Sequence, residues 1–200
     1  MSVSGLFQYP EGRGWIVLSG GADSGSVIRA QALRRTKAEG GAAYLVIRDD
    51  AADATLDDMD DLGAPTGYQV NLSTEDDATI RALIGEASII VIDANAHPRE
   101  LLSGLRGAAE EALHDALHDG AVLLFEGSSA SLLGAYWFGR VGEPHDGLNW
   151  LHNSVILTDA QQGDTAQAAY TFLEATPSAF IVEIALGSAM VLGPEGAIEI

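Results

Sequence analysis

Two apolar runs, Ser88-Ile-Ile-Val-Ile92 and Ala121-Val-Leu-Leu-Phe125, bracket one long amphipathic stretch, and this arrangement constrains the chain more than any other feature. A strand that is apolar on successive residues has no face to offer to water, so both of its faces must be covered. Strands of this kind are usually parallel and lie between helices. The stretch between the two runs carries Leu101, Leu102, Leu105, Ala108, Ala109, Ala112, Leu113 and Ala116 as one stripe. That spacing predicts a helix from about Pro98 to His118, with proline in its first turn and Gly120 past its end.

The rest of the chain keeps the alternation. Strands are predicted at Trp15–Leu18, Ala43–Ile47, Gly67–Leu72 and Asn153–Leu157. Helical patterns follow at Val27–Leu33, a capped segment beyond Ser73 and Asp76, and Thr165–Leu173, while Asp53–Leu62 reads as a short acidic helix or a loop. Leu132–Phe138 reads as a buried helix and Gly139–Asn149 as a loop. At the end, Phe180–Ile184, Ser188–Leu192 and Ala197–Ile200 are short strands separated by glycine turns, which predicts antiparallel hairpins. The expected fold is a three-layer α/β/α arrangement with a mostly parallel central sheet and C-terminal antiparallel hairpins. No linker interrupts it, so residues 1–200 are expected to form one domain.

Charge narrows the partners. Twenty-nine acidic residues stand against ten basic ones, a net charge of −19. Phosphate backbones and anionic membranes would be repelled, so nucleic acid and membrane partners are not expected. The charge fits an acidic or salt-adapted lineage, with attraction of a cationic, arginine-containing peptide as the functional alternative. The chain has no cysteine, which removes disulfides and thiolate chemistry together. No apolar run reaches the roughly 20 residues of a membrane span, and the first residues lack a signal-peptide pattern, so a cytoplasmic location is expected.

The chemistry gathers at the ends of the strands, where open α/β sheets bind ligands. That edge should hold Ser19-Gly-Gly-Ala-Asp23, Arg48-Asp-Asp50, Asp93-Ala-Asn-Ala-His97 and Gly127-Ser-Ser-Ala-Ser131. The first fits neither dinucleotide nor P-loop spacing and reads as a tight turn. In the last, Ser129 sits at the apex of a strand–turn–helix, the placement of a hydrolase nucleophile. The acidic run from Asp49 to Asp61 lacks an EF-hand frame. His114 and His118 share a helix face but have no third ligand nearby and sit at the wrong sheet edge. No metal and no cofactor are therefore expected. His97, His145 and His152 are the remaining histidines, with surface or capping roles as the plain alternative. Leu132, Leu133, Tyr136, Trp137 and Phe138 read as core, with a homodimer patch as the alternative.

On these residues the chain resembles the serine peptidase family of cyanophycinase and dipeptidase E, within the class I glutamine amidotransferase-like fold. The family elbow, G-[TW]-S-A-G, matches Gly127-Ser128-Ser129-Ala130-Ser131, which puts Ser129 at the nucleophile position and makes Ala130 N–H the candidate oxyanion donor. Gly147-Leu-Asn-Trp-Leu151 resembles the family's Gly-Leu-Gly-Leu-Leu segment, and Ile184–Leu192 resembles its closing strands. The departures are larger. The family's base histidine falls at Asp159, its late acid near Leu186, and its oxyanion glycine pair at Ala94-Asn95-Ala96-His97. The second elbow glycine is Ser131.

An aspartate with a reference pKa of about 3.9 is a weak base for a serine hydroxyl at neutral pH. Loss of triad members and oxyanion donors costs several orders of magnitude in rate. The resemblance therefore implies a diverged, non-catalytic relative acting as a binding or regulatory subunit. The alternative is an active serine hydrolase with a rebuilt triad, in which Ser129 pairs with His97, His145 or His152 and Glu126, Asp93 or Asp159 orients the imidazole.

Overall fold

The structure is a computed structural model describing residues 8–21, 25–37, 39–49, 52–139, 141–158 and 163–199. Asp159 and Ala160, together with Ala22, Asp23 and Asp50 of the predicted sheet edge, lie outside the described residues.

Five parallel strands form the centre of the molecule: β1 (Trp15–Ser19), β2 (Gly41–Val46), β3 (Gly67–Asn71), β4 (Ala87–Ile92) and β5 (Val122–Glu126). They lie in the order β3-β2-β4-β5-β1, so the two apolar runs are hydrogen-bonded neighbours, with Ile90 beside Leu123 and Ile92 beside Phe125. Both runs are buried throughout. Pleating sends alternate residues to opposite faces. Ile16, Leu45, Ile90, Leu123 and Phe125 belong to one core, and Val17, Tyr44, Val91 and Leu124 to the other.

The second core is covered by helices α1 (Gly25–Leu33) and α2 (Asp53–Asp61), through Ile28, Ala32 and Met59. The first is covered by α3 (Asp77–Gly85), α4 (Pro98–Leu105) and α5 (Ala108–His118). The long predicted helix is thus two helices. Arg106 is extended and Gly107 takes φ 84, a left-handed conformation that glycine adopts without steric cost. The apolar stripe runs through the break because both helices bury the same side. Helix α3 is capped by Asp76, whose Oδ1 accepts the Ala78 and Thr79 N–H groups at 2.9 and 3.0 Å.

The mixed α/β architecture is as expected, and the large sheet is mostly parallel with helices on both faces. The second half of the chain differs in detail. A 3₁₀ helix, Gly127–Leu133, leads directly into strand β6 (Gly134–Phe138), where the apolar run predicted a helix. Strands β6, β7 (Pro144–Asp146), β8 (Leu151–Thr158) and β9 (Phe180–Ile184) form a second sheet in the order β7-β6-β8-β9. Strand β9 runs parallel to β8, whereas β10 (Ala189–Leu192) returns to the large sheet, antiparallel to β1. These two strands are therefore not a hairpin. The chain passes from one sheet to the other at Gly187, which has φ 76. The last expected hairpin forms, between β10 and β11 (Ile198–Glu199).

Ile156 and Trp137 of the second sheet join the first core, while Val155, Leu157 and Phe138 face helix α6 (Asp164–Ala175). Leu132, Leu133, Trp137 and Phe138 are buried inside this chain, as the core reading expects, and Tyr136 is half-buried. No helix among the described residues is long and apolar enough to cross a membrane.

Candidate functional site

A cleft of about 620 Å³ opens at the carboxyl edge of the large sheet. Its walls come from the segments after three neighbouring strands and from the second sheet. Ile47 and Arg48 follow β2, Asp93 to Glu100 follow β4, and Ser128 follows β5. Trp137, Phe138, Gly139, Val141 and Glu143 supply the opposite side. The strand-end rule thus locates the cleft. The described part of the glycine turn after β1 does not reach it. Gly20 is pressed against the Ala185 carbonyl, which would stand 2.1 Å from a Cβ at that position.

Ser129 does not face the cleft. It is 0% exposed, and its hydroxyl is closed onto the strand it follows. Oγ donates to the Glu126 carbonyl at 2.9 Å and accepts the Glu126 N–H at 3.0 Å. The expectation of a hydroxyl placed as a hydrolase nucleophile at the apex of the turn therefore fails. The left-handed residue that turns the chain out of β5 is Gly127, with φ 55. Among the described residues only Asn149 and Asn153 are non-glycine residues with positive φ, so no serine occupies the strained corner on which a hydrolase nucleophile is raised. Ala130 is likewise 0% exposed and sits in the core.

Ser128 is the elbow hydroxyl that lines the cleft, and it donates to the Ala94 carbonyl at 2.9 Å. His97 lines the same cleft as the N-cap of α4, where its Nδ1 accepts the Arg99 N–H at 3.3 Å. A neutral imidazole with Nδ1 accepting carries its proton on Nε2, so the lone pair a base needs is spent on the cap.

The other candidate partners are also engaged. His145 pairs with Trp137 across β6 and β7, with ring centroids 4.5 Å apart, and its Nε2 lies 3.3 Å from Glu143 Oε1. The Glu143 carboxyl is held below its ordinary range chiefly by its own backbone N–H, against the opposing effect of burial and with His145 adding to the lowering. His152 is exposed, with Nδ1 3.2 Å from Gln8 Oε1. His114 stacks on Trp150 at 4.2 Å. No histidine among the described residues is a hydrogen-bond partner of Ser129, and no three His, Asp or Glu side chains converge as metal ligands.

The two candidate acids have other roles. Glu126 is 6% exposed and receives both Nε and Nη2 of Arg29, the latter at 2.8 Å. Arg29 Nη1 reaches Asp58 at 2.8 Å, so this network ties α1 and α2 to the end of β5. Burial pulls the Arg29 pKa down, but Glu126 and then Asp58 outweigh it and hold the guanidinium above its ordinary value. The neighbouring Tyr44 phenol is pushed up to about 12, mainly by burial, with Asp58 and Asp60 adding to the effect. Asp93 does line the cleft. Burial raises its pKa against the Asn95 and Ala96 N–H groups and the charge of Arg48. Its Oδ1 accepts the Asn95 N–H at 2.7 Å and so shapes the turn.

Three cleft residues were not singled out by sequence reasoning. Arg48 and Ser128 stood within the predicted edge segments but lacked a motif of their own. Arg99 lies two residues beyond His97, where a helix start would have been its only signal. Trp137 was read as core, and it is 4% exposed, yet it lines the cleft and its indole Nε1–H has no acceptor among the described residues.

Neither a protein-family model nor a curated protein matches the sequence. Solved structures do match the fold. A peptidase from an acI-B1 Actinobacterium superposes with TM-score 0.68 at 14% identity, over 90% of this chain and 84% of that one. A "Putative Peptidase E Protein" from Listeria monocytogenes EGD-e superposes with TM-score 0.70 at 11% identity, over 93% and 96% of the two chains. The chain has a peptidase-like fold.

Proposed function

We propose that this protein is a diverged member of the cyanophycinase and dipeptidase E family that does not hydrolyse peptides and instead binds a small ligand in the cleft at its sheet edge, as a binding or regulatory subunit. The observation that carries this reading is Ser129 at 0% exposure, with its hydroxyl bonded to both polar groups of the Glu126 backbone. A serine in that state has no base to take its proton and no path to a carbonyl carbon. The cationic-peptide expectation attaches, in this reading, to the acidic exterior.

A hydrolase reading is favoured by one fact, that Ser128 and His97 line the same cleft. The two hydrogen bonds they make oppose it. The Ser128 hydroxyl donates a hydrogen bond to the Ala94 carbonyl, and His97 Nδ1 accepts the Arg99 N–H. The test is hydrolysis of a panel of aspartyl and arginyl dipeptides by wild type, Ser128→Ala and Ser129→Ala. The expected result is no amino-acid release by wild type above either variant. Turnover abolished by either substitution overturns the proposal.

A further inference from the structure

We infer that the cleft takes a small organic anion, with an oxyanion headgroup set against Arg48 and Arg99 and an apolar body lying along Trp137 and Phe138. The inference rests on the binding reading above and adds the sign and shape of the ligand. The chain carries ten basic residues against twenty-nine acidic ones, so an unneutralised guanidinium is rare on it. Arg13, Arg29, Arg35 and Arg81 are held in ion pairs with Asp119, Glu126 and Asp58, Glu199 and Glu111. Arg106 donates to the Asp146 and Gly147 carbonyls. Arg48 and Arg99 form neither an ion pair nor a side-chain hydrogen bond among the described residues, and both line the cleft.

Three carboxylates, Asp93, Glu100 and Glu143, share the cleft wall with them. Glu143 engages its own backbone N–H and sets Oε1 3.3 Å from His145 Nε2, while its Oε2 is buried without a hydrogen-bond partner among the described residues. Asp93 is folded into its turn, where its Oδ1 accepts the Asn95 N–H, and the charge of Arg48 acts on it. Glu100 lies in the first turn of α4, beside the N–H groups that already favour negative charge there.

Two further observations point to a ligand and not only to a charged rim. Trp137, only 4% exposed, lines the cleft with an indole N–H that has no acceptor among the described residues. Buried donors are seldom left unpaired, and one in a cavity wall is a place for a ligand oxygen. The cavity, at about 620 Å³, is in the size range of small-molecule sites and combines an aromatic side with a few polar groups. A guanidinium recognises carboxylate and phosphate alike through its planar fork.

The experiment uses benzoate, phenyl phosphate and benzylamine, which share a ring and differ in headgroup, and follows tryptophan fluorescence of the full chain. Benzoate or phenyl phosphate should give a saturable change that is absent in Trp137→Phe. Arg48→Gln and Arg99→Gln should each weaken it by about tenfold, the loss expected for one charge-assisted contact. Arg34→Gln, on the exposed surface outside the cleft, should leave it unchanged. Equal binding of both anions assigns the site to an oxyanion in general, and preference for one assigns it to that headgroup. Binding of benzylamine in place of the anions, anion binding that survives Arg48→Gln/Arg99→Gln, or no saturable response to either anion at millimolar concentration overturns the inference. Benzylamine binding would do so while leaving the binding reading intact, whereas dipeptide hydrolysis would overturn that reading independently.

Discussion

Replacing Ser129 by alanine should destabilise this protein by about 2 kcal/mol, because its hydroxyl makes two buried hydrogen bonds. It donates to the Glu126 carbonyl at 2.9 Å, accepts from the Glu126 N–H at 3.0 Å, and has no exposed surface. Each bond contributes about 1 kcal/mol net, and removing Oγ leaves backbone groups at the end of β5 that water reaches poorly. Relief of the hydroxyl's own desolvation offsets part of this, which keeps the total near two bonds. For a chain of 200 residues, that corresponds to a fall of roughly 4–8 °C in Tm. The assay is a thermal melt paired with urea titration, with Ser128→Ala as the internal reference. Ser128 is half-buried and gives a single bond to Ala94, so its loss should cost under about 1 kcal/mol. A catalytic nucleophile held in an open elbow predicts the reverse order. If Ser129→Ala stays within about 0.5 kcal/mol of wild type, the level of an ordinary surface substitution, the closed hydroxyl is refuted.

Other perturbations test neighbouring parts of the account. Arg29→Met should cost about 2–4 kcal/mol in urea unfolding, since it strands Glu126 and the partly exposed Asp58 without their cation. Gly127→Ala should cost about 1–2 kcal/mol from its left-handed φ of 55 alone, because a Cβ there meets nothing within 4 Å, and Gly127→Asn should recover part of that loss. Asp76 has its pKa lowered, chiefly by the Thr79 N–H, so its stabilising effect is present above the unfolded-state value and is lost as pH falls through the folded one. Melts of Asp76→Ala should therefore lie below wild type at neutral pH and converge with it in acid.

Much of the fold was legible because its central strands are apolar on every residue, and Ser88–Ile92 and Ala121–Phe125 can sit only inside a covered sheet. The misreadings share a cause, which is that sequence neighbours need not be spatial partners. Phe180–Ile184 and Ser188–Leu192 look like a hairpin around Gly187, yet they belong to different sheets. Leu132–Phe138 is apolar throughout, so it has no period to tell the β6 strand from a helix. At the elbow, spacing placed Ser129 on the apex. The glycine two residues earlier takes the left-handed turn instead, and that shift rotates Ser129 inward and leaves Ser128 in the cleft. Glycine was the available signal, since it is the residue that enters that conformation without cost. The sheet edge as a ligand site was legible from topology. Arg48 and Arg99 stood out only once the cleft that they line was known.

The claim that Ser129 is a closed structural hydroxyl is tested most directly by exposing the wild-type protein to a fluorophosphonate and mapping any adduct by mass spectrometry. The account predicts that Ser129 is recovered unmodified from the native protein. A stoichiometric adduct on Ser129, abolished by Ser129→Ala, would contradict it.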